Sequence, residues 1–444
     1  MTEHRALTDA DKVFLSTLTN RLALGKSLGE TYGGTRDVYD VLGYKKTLEF
    51  KDYRDRYDRD HIAARIVSAP AQATWKDLPR IIPLDNNGEP RKALDKKLQR
   101  LLRQLDKKVN LRASLERVDR ISGIGQYGIL VVGVNDSKKL NEPVLPGSIR
   151  SIDDIIYLTP YAENNARINT IDKSPSSPRF GLPVEYEIDP SSNFVSTATA
   201  DLVIPRQIVH YTRVLHVAEG LLENGIYGRP RLESVYNLFD DLAKVVGGSA
   251  EFFWRVADRG MQFDLDKDAS LTPTEEAVFE ENISDWVHGL KRFIQTRGVT
   301  AKALSAETAD PRGPFNPIIS LIAGAKAIPQ RILMGAERGQ LASSQDRASW
   351  DSVISNRQNI FAEPVMVRPF ISMLIFYGVI PNIDDYRIEW PLLTALTRIE
   401  EADIAQKKSL ALVNFARHVK AMVEAKQEPV MTIEEFRSTL IDST

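Results

Sequence analysis

The sequence predicts an α+β protein, rich in helix and built around one long kinked helix. Three observations carry this. Apolar residues recur at helical spacing from Trp350 through Val353, Ile354, Ile360 and Phe361, past Pro364 and Pro369, to Tyr377. Short strand-like apolar runs between residues 129 and 215 are separated by stretches rich in Pro and Ser. A strand-helix-strand order over 259–312 is flanked on both sides by apolar helical segments. A helix from Ser344 to Phe376 would measure roughly 50 Å at about 1.5 Å per residue, and its prolines are expected to kink it.

The 444 residues suffice for about two or three ordinary domains with an ample core. A hydrophobic content of 43% and a charged content of 27% are those of an ordinary soluble globular chain. No apolar run approaches the ~20 residues needed to span a bilayer, and Met1-Thr2-Glu3-His4-Arg5 has no apolar signal core, so no membrane partner is expected. With no cysteine there is no disulfide, cysteine-zinc site or thiol nucleophile. The formal net charge of −2 excludes a globally basic nucleic-acid binder.

In chain order, residues 1–50 read as a glycine-bearing arm (Gly25, Gly29, Gly33, Gly34, Gly43). Tyr53, Tyr57, Ile62, Ile66 and Val67 give a helix from Phe50 to Pro70. Arg91 to Arg112 is the most basic segment, with Leu94, Leu98, Leu101, Leu105 and Val109 at heptad-like spacing. It reads either as a phosphate-binding helix or, more simply, as an amphipathic helix with a basic outer face. Gly123-Ile124-Gly125-Gln126-Tyr127-Gly128 matches G-x-G-x-x-G in form, but a helix precedes it and the strand Ile129–Val134 follows. A dinucleotide site needs the opposite order, so the match is a helix-to-strand turn.

Further strands are expected at Ile155–Leu158, Val184–Ile188 and Ile208–Leu215, with loops at Ser174–Pro178 and Pro190–Ser192. His210 and His216 are too isolated for metal ligands and read as packed or surface side chains. A helix is expected to start at Gly228-Arg229-Pro230 and bury Leu232, Val235, Leu238, Phe239, Leu242, Val245 and Val246, weakened midway by Gly247-Gly248. Phe252, Phe253 and Trp254 extend its stripe. Between Arg259 and Arg312 the order is strand (Met261–Leu265), helix (Pro273–Leu290) and strand (Phe293–Thr296, with Val299–Leu304 beyond).

Asp264, Asp266, Asp268, Ser270 and Glu275 have the spacing of a calcium loop, but Ala269 stands where the sharp turn needs glycine. A capping box with Thr272 as N-cap, Pro273 at N1 and Glu275 at N3 explains the same residues and is the reading adopted. Ile318–Ile328 is a second apolar helix stopped by Pro329, and the glycines Gly335 and Gly339 leave the next segment free to vary. Ser343 or Ser344 is the expected cap of the long helix. Ile388-Glu389-Trp390 is a short strand. Thr397–Lys426 is a charged helix with Ile404, Leu410, Leu412, Val413, Phe415 and Val419 as its buried side, and Thr432 with Glu435 forms a second capping box.

No reaction is legible. There is no G-x-x-x-x-G-K-[ST] loop, no H-E-x-x-H and no G-x-S-x-G, and no catalytic, metal or cofactor residue is assigned.

The order of several weak motifs resembles a tailed-bacteriophage portal protein. They are Ile328-Pro329-Gln330-Arg331-Ile332-Leu333-Met334-Gly335, Leu341-Ala342-Ser343-Ser344-Gln345-Asp346, Gln358 and Pro364, the Tyr-rich helix leading into Ala69-Pro70-Ala71, His210-Tyr211-Thr212-Arg213-Val214, and Thr432–Arg437. The resemblance covers about Tyr53 to Leu440. It implies a portal-like architecture of wing, stem, clip and crown. Residues 1–50 are then an N-terminal arm, 51–228 the α/β wing, 229–258 the first stem helix and 259–312 the clip. Residues 313–329 are the second stem helix, 330–345 the channel loop, 346–394 the long wing helix and wing strand, and 395–444 the helical crown.

The resemblance further implies a homo-oligomeric ring, typically of twelve subunits, at one capsid vertex of the virion, assembled in the host cytoplasm. Double-stranded DNA would pass through it without sequence specificity during packaging and ejection. The terminase large subunit, a neck or tail adaptor, and the major capsid and scaffolding proteins are the implied partners. Gly335, Glu337, Arg338, Gly339, Gln340, Leu341, Ser343 and Gln345 would form the channel loop, with Arg338 and Gln340 nearest DNA and Leu341 narrowing the bore. Glu280, Trp286, His288, Lys291 and Arg292 would face motor and adaptor from the clip. Two other readings stand beside it: a nucleic-acid-processing phage enzyme gripping DNA with Arg91–Arg112, and a scaffolding or minor structural protein.

Overall fold

The computed structural model describes residues 37–149, 151–190, 204–257, 261–265, 272–287, 299–303, 312–335, 340–393, 398–424, 431–432 and 435–436. The first 36 residues of the expected arm, the expected strand Phe293–Thr296, and Asp266, Asp268 and Ser270 lie outside them.

After a short helix α1 (Val38–Leu42), the expected single helix to Pro70 is two, α2 (Phe50–Arg59) and α3 (His61–Thr74). The break is at Asp60, whose carboxylate accepts from the Ile62 and Ala63 amides at 2.9 and 3.0 Å and caps α3. Pro70 does not end the helix but sits inside it. Strand β1 (Arg80–Pro83) follows, then α4 (Lys92–Val109) and α5 (Leu111–Ile124), joined at Asn110 with φ 51°. Asp106 accepts from the Arg112 amide at 2.9 Å and serves the first turn of α5.

Strand β2 (Gly128–Val134) is buried throughout. It is the middle of a three-stranded antiparallel sheet between β3 (Ile155–Ala162) and β7 (Val214–Val217). Leu130, Val132 and Val134 enter the main core and Ile129 and Val131 a second one, so both faces are covered and the continuous apolar run is explained. A second antiparallel sheet holds β4 (Ala166–Ile171), β5 (Pro183–Ile188) and β6 (Gln207–His210). The expected strand Ile208–Leu215 is therefore two strands in two sheets. They part at Tyr211–Arg213, where His210 Nδ1 accepts from the Thr212 amide at 3.3 Å and Arg213 turns inward onto Asp136 at 2.6 Å.

The helix expected from Gly228 begins later. The Arg229 and Arg231 amides donate to Glu219 and Gly123 carbonyls, both at 2.8 Å, which commits this backbone elsewhere. A single tight turn (Glu233–Val235) leads into α6 (Tyr236–Ala257), which runs unbroken through Gly247-Gly248. Val246, Phe253 and Trp254 on its lower part are exposed, Trp254 at 80%, so the stripe is buried by this chain only near its start. Strands β8 (Met261–Leu265) and β9 (Val299–Ala303) pair antiparallel around α7 (Pro273–Val287) in the sequence order expected. Glu275 Oε2 accepts from the Thr272 amide at 2.9 Å and from its hydroxyl at 2.7 Å, the half of the expected capping box in which the N3 carboxylate reaches back to the N-cap.

Helix α8 (Arg312–Ala325) packs on α6, and α9 (Gln330–Met334) follows Pro329. The long helix is continuous but uneven: α10 (Gln340–Arg357), a widened segment Gln358–Val367, and α11 (Arg368–Tyr377). In the widened segment hydrogen bonds skip five residues, as from the Arg368 amide to the Glu363 carbonyl. Pro364 has no N–H to offer, and the ladder widens around it rather than breaking. Gln345–Tyr377 is long and apolar enough by composition to cross a membrane, which the run-length reading missed because Glu363 and Arg368 interrupt it. Phe361, Ala362, Met366, Val367, Phe370, Ile371, Leu374 and Tyr377 are instead the spine of the main core.

Strand β10 (Tyr386–Glu389) pairs with β1, Ile388 opposite Ile81. Helix α12 (Arg398–Glu424) is the last long element among the described residues, and the Phe415 ring stacks on Phe436 at 3.9 Å. Thr432 and Glu435 form the expected capping box. The expected buried side of α12 is corrected: Leu410, Leu412 and Val413 are about half exposed.

Candidate channel loop and its anchorage

The segment expected as a loop is largely helical at both ends. Pro329 opens α9, and Gly335 closes it at φ 70°, its amide donating to the Arg331 carbonyl. Glu337, Arg338 and Gly339 lie outside the described residues. Gln340, Leu341, Ser343 and Gln345 are on the first turns of α10, so the helix starts before the serines expected to cap it. Gln, Leu and Ala are good helix formers, which is the physical reason for the earlier start. Helix α9 thus ends at Met334 and α10 begins at Gln340.

Both ends are held. On one side Ile328 and Leu333 enter a core with Tyr53, Ala63, Ile66, Val67, Phe239 and Ile322. The Arg65 side chain reaches the Ile332 carbonyl at 3.4 Å, and Arg331 pairs with Asp346 across the connection at 3.5 Å. On the other side Trp350 packs on the same core and Ile354 is buried.

One step further, at the last residue of α10, Arg357 enters a buried ion cluster that the sequence did not reveal. Asp119 is 0% exposed. Its carboxylate accepts from the Trp75 indole at 2.7 Å, from Arg231 at 2.6 Å and from Arg357 at 2.6 and 3.0 Å. Glu219 accepts from both arginines, including Arg357 Nε at 2.9 Å and Arg231 Nε at 2.7 Å. Arg231 also donates to the Val67 carbonyl at 2.6 Å, Arg357 to the Thr74 hydroxyl at 2.7 Å, and Gln358 to the Thr74 carbonyl at 3.2 Å.

Two guanidiniums and two carboxylates balance in charge, and the extra donors and acceptors serve the remaining lone pairs. Burial pushes the Asp119 and Glu219 carboxyls up, but the arginines outweigh it and hold both below their ordinary range. Burial likewise works against charged Arg357, and the two carboxylates overcome it and raise its affinity for the proton. The cluster ties α3, α5, the approach to α6 and the long helix at the start of its widened segment. The only sequence signal was Asp119 itself, which falls on the buried face of α5 with Leu115, Val118 and Ser122.

Of the expected clip-facing residues, Glu280 is exposed on α7 and Trp286 is on the same helix. His288, Lys291 and Arg292 lie outside the described residues. Helix α7 contains Glu275, Glu276, Glu280, Glu281 and Asp285 and no basic residue. His216 is packed as expected: its ring nitrogens lie 3.2 Å from the Tyr186 hydroxyl and 2.8 Å from the Ile226 carbonyl, and it stacks on Tyr127. Among the described residues no His, Asp and Glu group has the form of a metal site.

The fold is similar to two chains from gene transfer agent particles. One is described as the virion of a native particle, with 12% identity, 92% of this chain and 99% of that one covered, and a TM-score of 0.51. The other is the neck of an empty particle computed with C6 symmetry, with 12% identity, 92% and 100% covered, and a TM-score of 0.52. An HK97-family phage portal protein from Corynebacterium diphtheriae aligns at 10% identity over 78% of this chain and 97% of its own, with a TM-score of 0.37. No curated protein sequence matches. The sequence itself matches the family described as phage portal protein over residues 51–413, and the chain belongs to that family.

Proposed function

We propose that this chain works as a closed ring of about twelve identical subunits at one capsid vertex, a passive channel for double-stranded DNA during packaging and ejection. The observation that carries the reading is the order of elements in a chain of the portal family. Two mutually packed helices, α6 and α8, enclose a strand-helix-strand unit, and a short connection then leads into the long helix. Exposed apolar side chains favour assembly. Val246, Phe253 and Trp254 on α6, Leu321 on α8, and Leu410, Leu412 and Val413 on α12 are surfaces a neighbouring copy would bury.

The connection Gly335–Gly339 and the first turns of α10 line the channel in this reading, with Arg338 and Gln340 nearest the duplex. Rotational symmetry repeats each side chain around the axis, and such a ring touches phosphates without reading bases. A short connection between two anchored helices keeps the constriction in place while DNA moves. Shortening 336–339 is expected to impair packaging or retention of DNA while the ring still forms. Normal packaging by that variant rejects the assignment.

The acidic α7 and the residues after it form the docking end for the terminase motor and later the adaptor. The chemistry calls for a basic partner surface. Glu280→Lys with Glu281→Lys is expected to abolish motor binding to intact rings; unchanged binding moves the docking site elsewhere. The chain performs no catalysis in this reading, acts in the phage particle, and is assembled in the host cytoplasm.

A further inference from the structure

The channel reading leaves the most basic element of the chain unexplained. Helix α4 packs inward through Leu98, Leu102 and Leu105, which are buried. On its opposite side Lys92, Lys96, Arg100, Arg103 and Lys107 follow one another at steps of four, four, three and four residues, and all five are exposed. That spacing draws them into a single stripe along the helix, with neighbours about 4.5–6 Å apart along the axis. The carboxylates of α4 are already committed. Asp95 is buried and bound to Arg80 at 2.5 Å, and Asp106 accepts from the Arg112 amide at 2.9 Å. Among the described residues no carboxylate pairs with any of the five.

Beside the stripe lies an open cavity of about 740 Å³ lined by Lys97, Gln104, Lys107, Lys108 and Ser151, together with Leu101, Ile152, Val379 and Asp153, whose carboxylate lies 3.8 Å from Lys108 Nζ. Lys108 is fixed there by the Ile152 and Asp153 carbonyls at 3.2 and 2.6 Å.

We propose that this face of α4 is a second DNA-binding surface, one that holds the phosphate backbone of a duplex without reading its sequence. Charge complementarity names the occupant. Like charges at successive helical turns repel one another, and a polyanion relieves that repulsion. Phosphates on one strand rise about 3.4 Å apiece along the duplex axis, so cations about 4.5–6 Å apart find a phosphate within every one or two steps. An acidic protein fits less well: protein interfaces are depleted in Lys and centre on aromatic or apolar anchors, whereas the stripe has no apolar side chain. The inference does not rest on the channel reading, because the surface exists on a single subunit.

The test uses the full-length protein, a fluorescent 30-base-pair duplex and a salt titration. Five phosphate contacts correspond to a slope of log affinity on log salt of up to about −4.5, or roughly a 500-fold loss between about 50 and 200 mM salt. The variant with Lys92, Lys96, Arg100, Arg103 and Lys107 all changed to Gln is expected to flatten that slope towards the value set by the rest of the protein. Without DNA it melts no lower than the parent. Changing only Arg100 and Arg103 to Gln gives an intermediate slope, and changing the three lysines to Arg preserves binding. Native mass spectrometry of each variant keeps ring assembly separate from DNA affinity. An unchanged slope in the five-site variant overturns the proposal, as does tighter binding of polyglutamate than of the duplex.

Discussion

Replacing Asp119 by Asn removes one charge from the buried cluster and little volume. The carboxylate now satisfies four donors from three side chains, with distances of 2.6–3.0 Å. In the variant Arg231 and Arg357 face only Glu219, which leaves an uncompensated positive charge. Breaking a buried ion pair in this way costs about 3–5 kcal/mol. With a urea slope of about 2–3 kcal/mol per molar, the unfolding midpoint of the unit containing α3, α5 and the long helix should fall by about 1–2.5 M.

The charge count gives a second expectation. Arg357→Gln added to Asp119→Asn restores a neutral Arg231–Glu219 pair, so the double variant loses less than the sum of the singles by more than about 1 kcal/mol. The assay is urea unfolding followed by tryptophan fluorescence, since Trp75 reports directly on Asp119. The sign with pH follows as well. Both carboxyls have folded values held below their unfolded ones. Their contribution is therefore present above about pH 4–5 and is lost as pH falls towards the folded values. The Asn variant should show a flatter acid limb. A loss under about 1 kcal/mol, or simple additivity of the two substitutions, refutes the cluster as the anchor of the long helix.

Two further outcomes follow from the same structure. A β-carbon on Gly228 would lie 2.1 Å from the Glu219 carbonyl oxygen, which is backbone and cannot swing away. Gly228→Ala is therefore expected to cost about 1–3 kcal/mol or more and to disturb the cluster, measured by the same urea curve. His216 is pushed below its ordinary value of 6.5 by burial, which the Ile226 carbonyl only partly offsets. The unfolded chain takes the proton first, so the stability of the two sheets around His216 should decline as pH drops below about 6.5, and His216→Gln should flatten that dependence in thermal melts from about pH 7 to 5.

Elements whose cause is local could be read in advance. The run at 129–134 was read as a strand, the glycine pattern before it as a helix-to-strand turn, and Thr272–Glu275 and Thr432–Glu435 as caps, each from neighbours in sequence. Features set by distant partners could not. Strand β1 is four residues long and is a strand only because β10 lies beside it, some 300 positions away in sequence. The approach to α6 reads as helix, yet its amides are drawn to Gly123 and Glu219. The ion cluster joins residues 119, 219, 231 and 357, and nothing local marks any three of them. The side of α12 read as buried was misjudged at Leu410, Leu412 and Val413, which are about half exposed, because periodicity marks an apolar face without saying what covers it.

The most direct test of the central claim is the particle mass and symmetry of the purified protein, by native mass spectrometry with negative-stain images. A closed ring with an axial hole is expected, about 600 kDa for twelve copies of a 49.9 kDa chain. A chain that stays monomeric or dimeric even when co-expressed with its capsid and scaffolding proteins, and that cleaves DNA with added metal, contradicts the account.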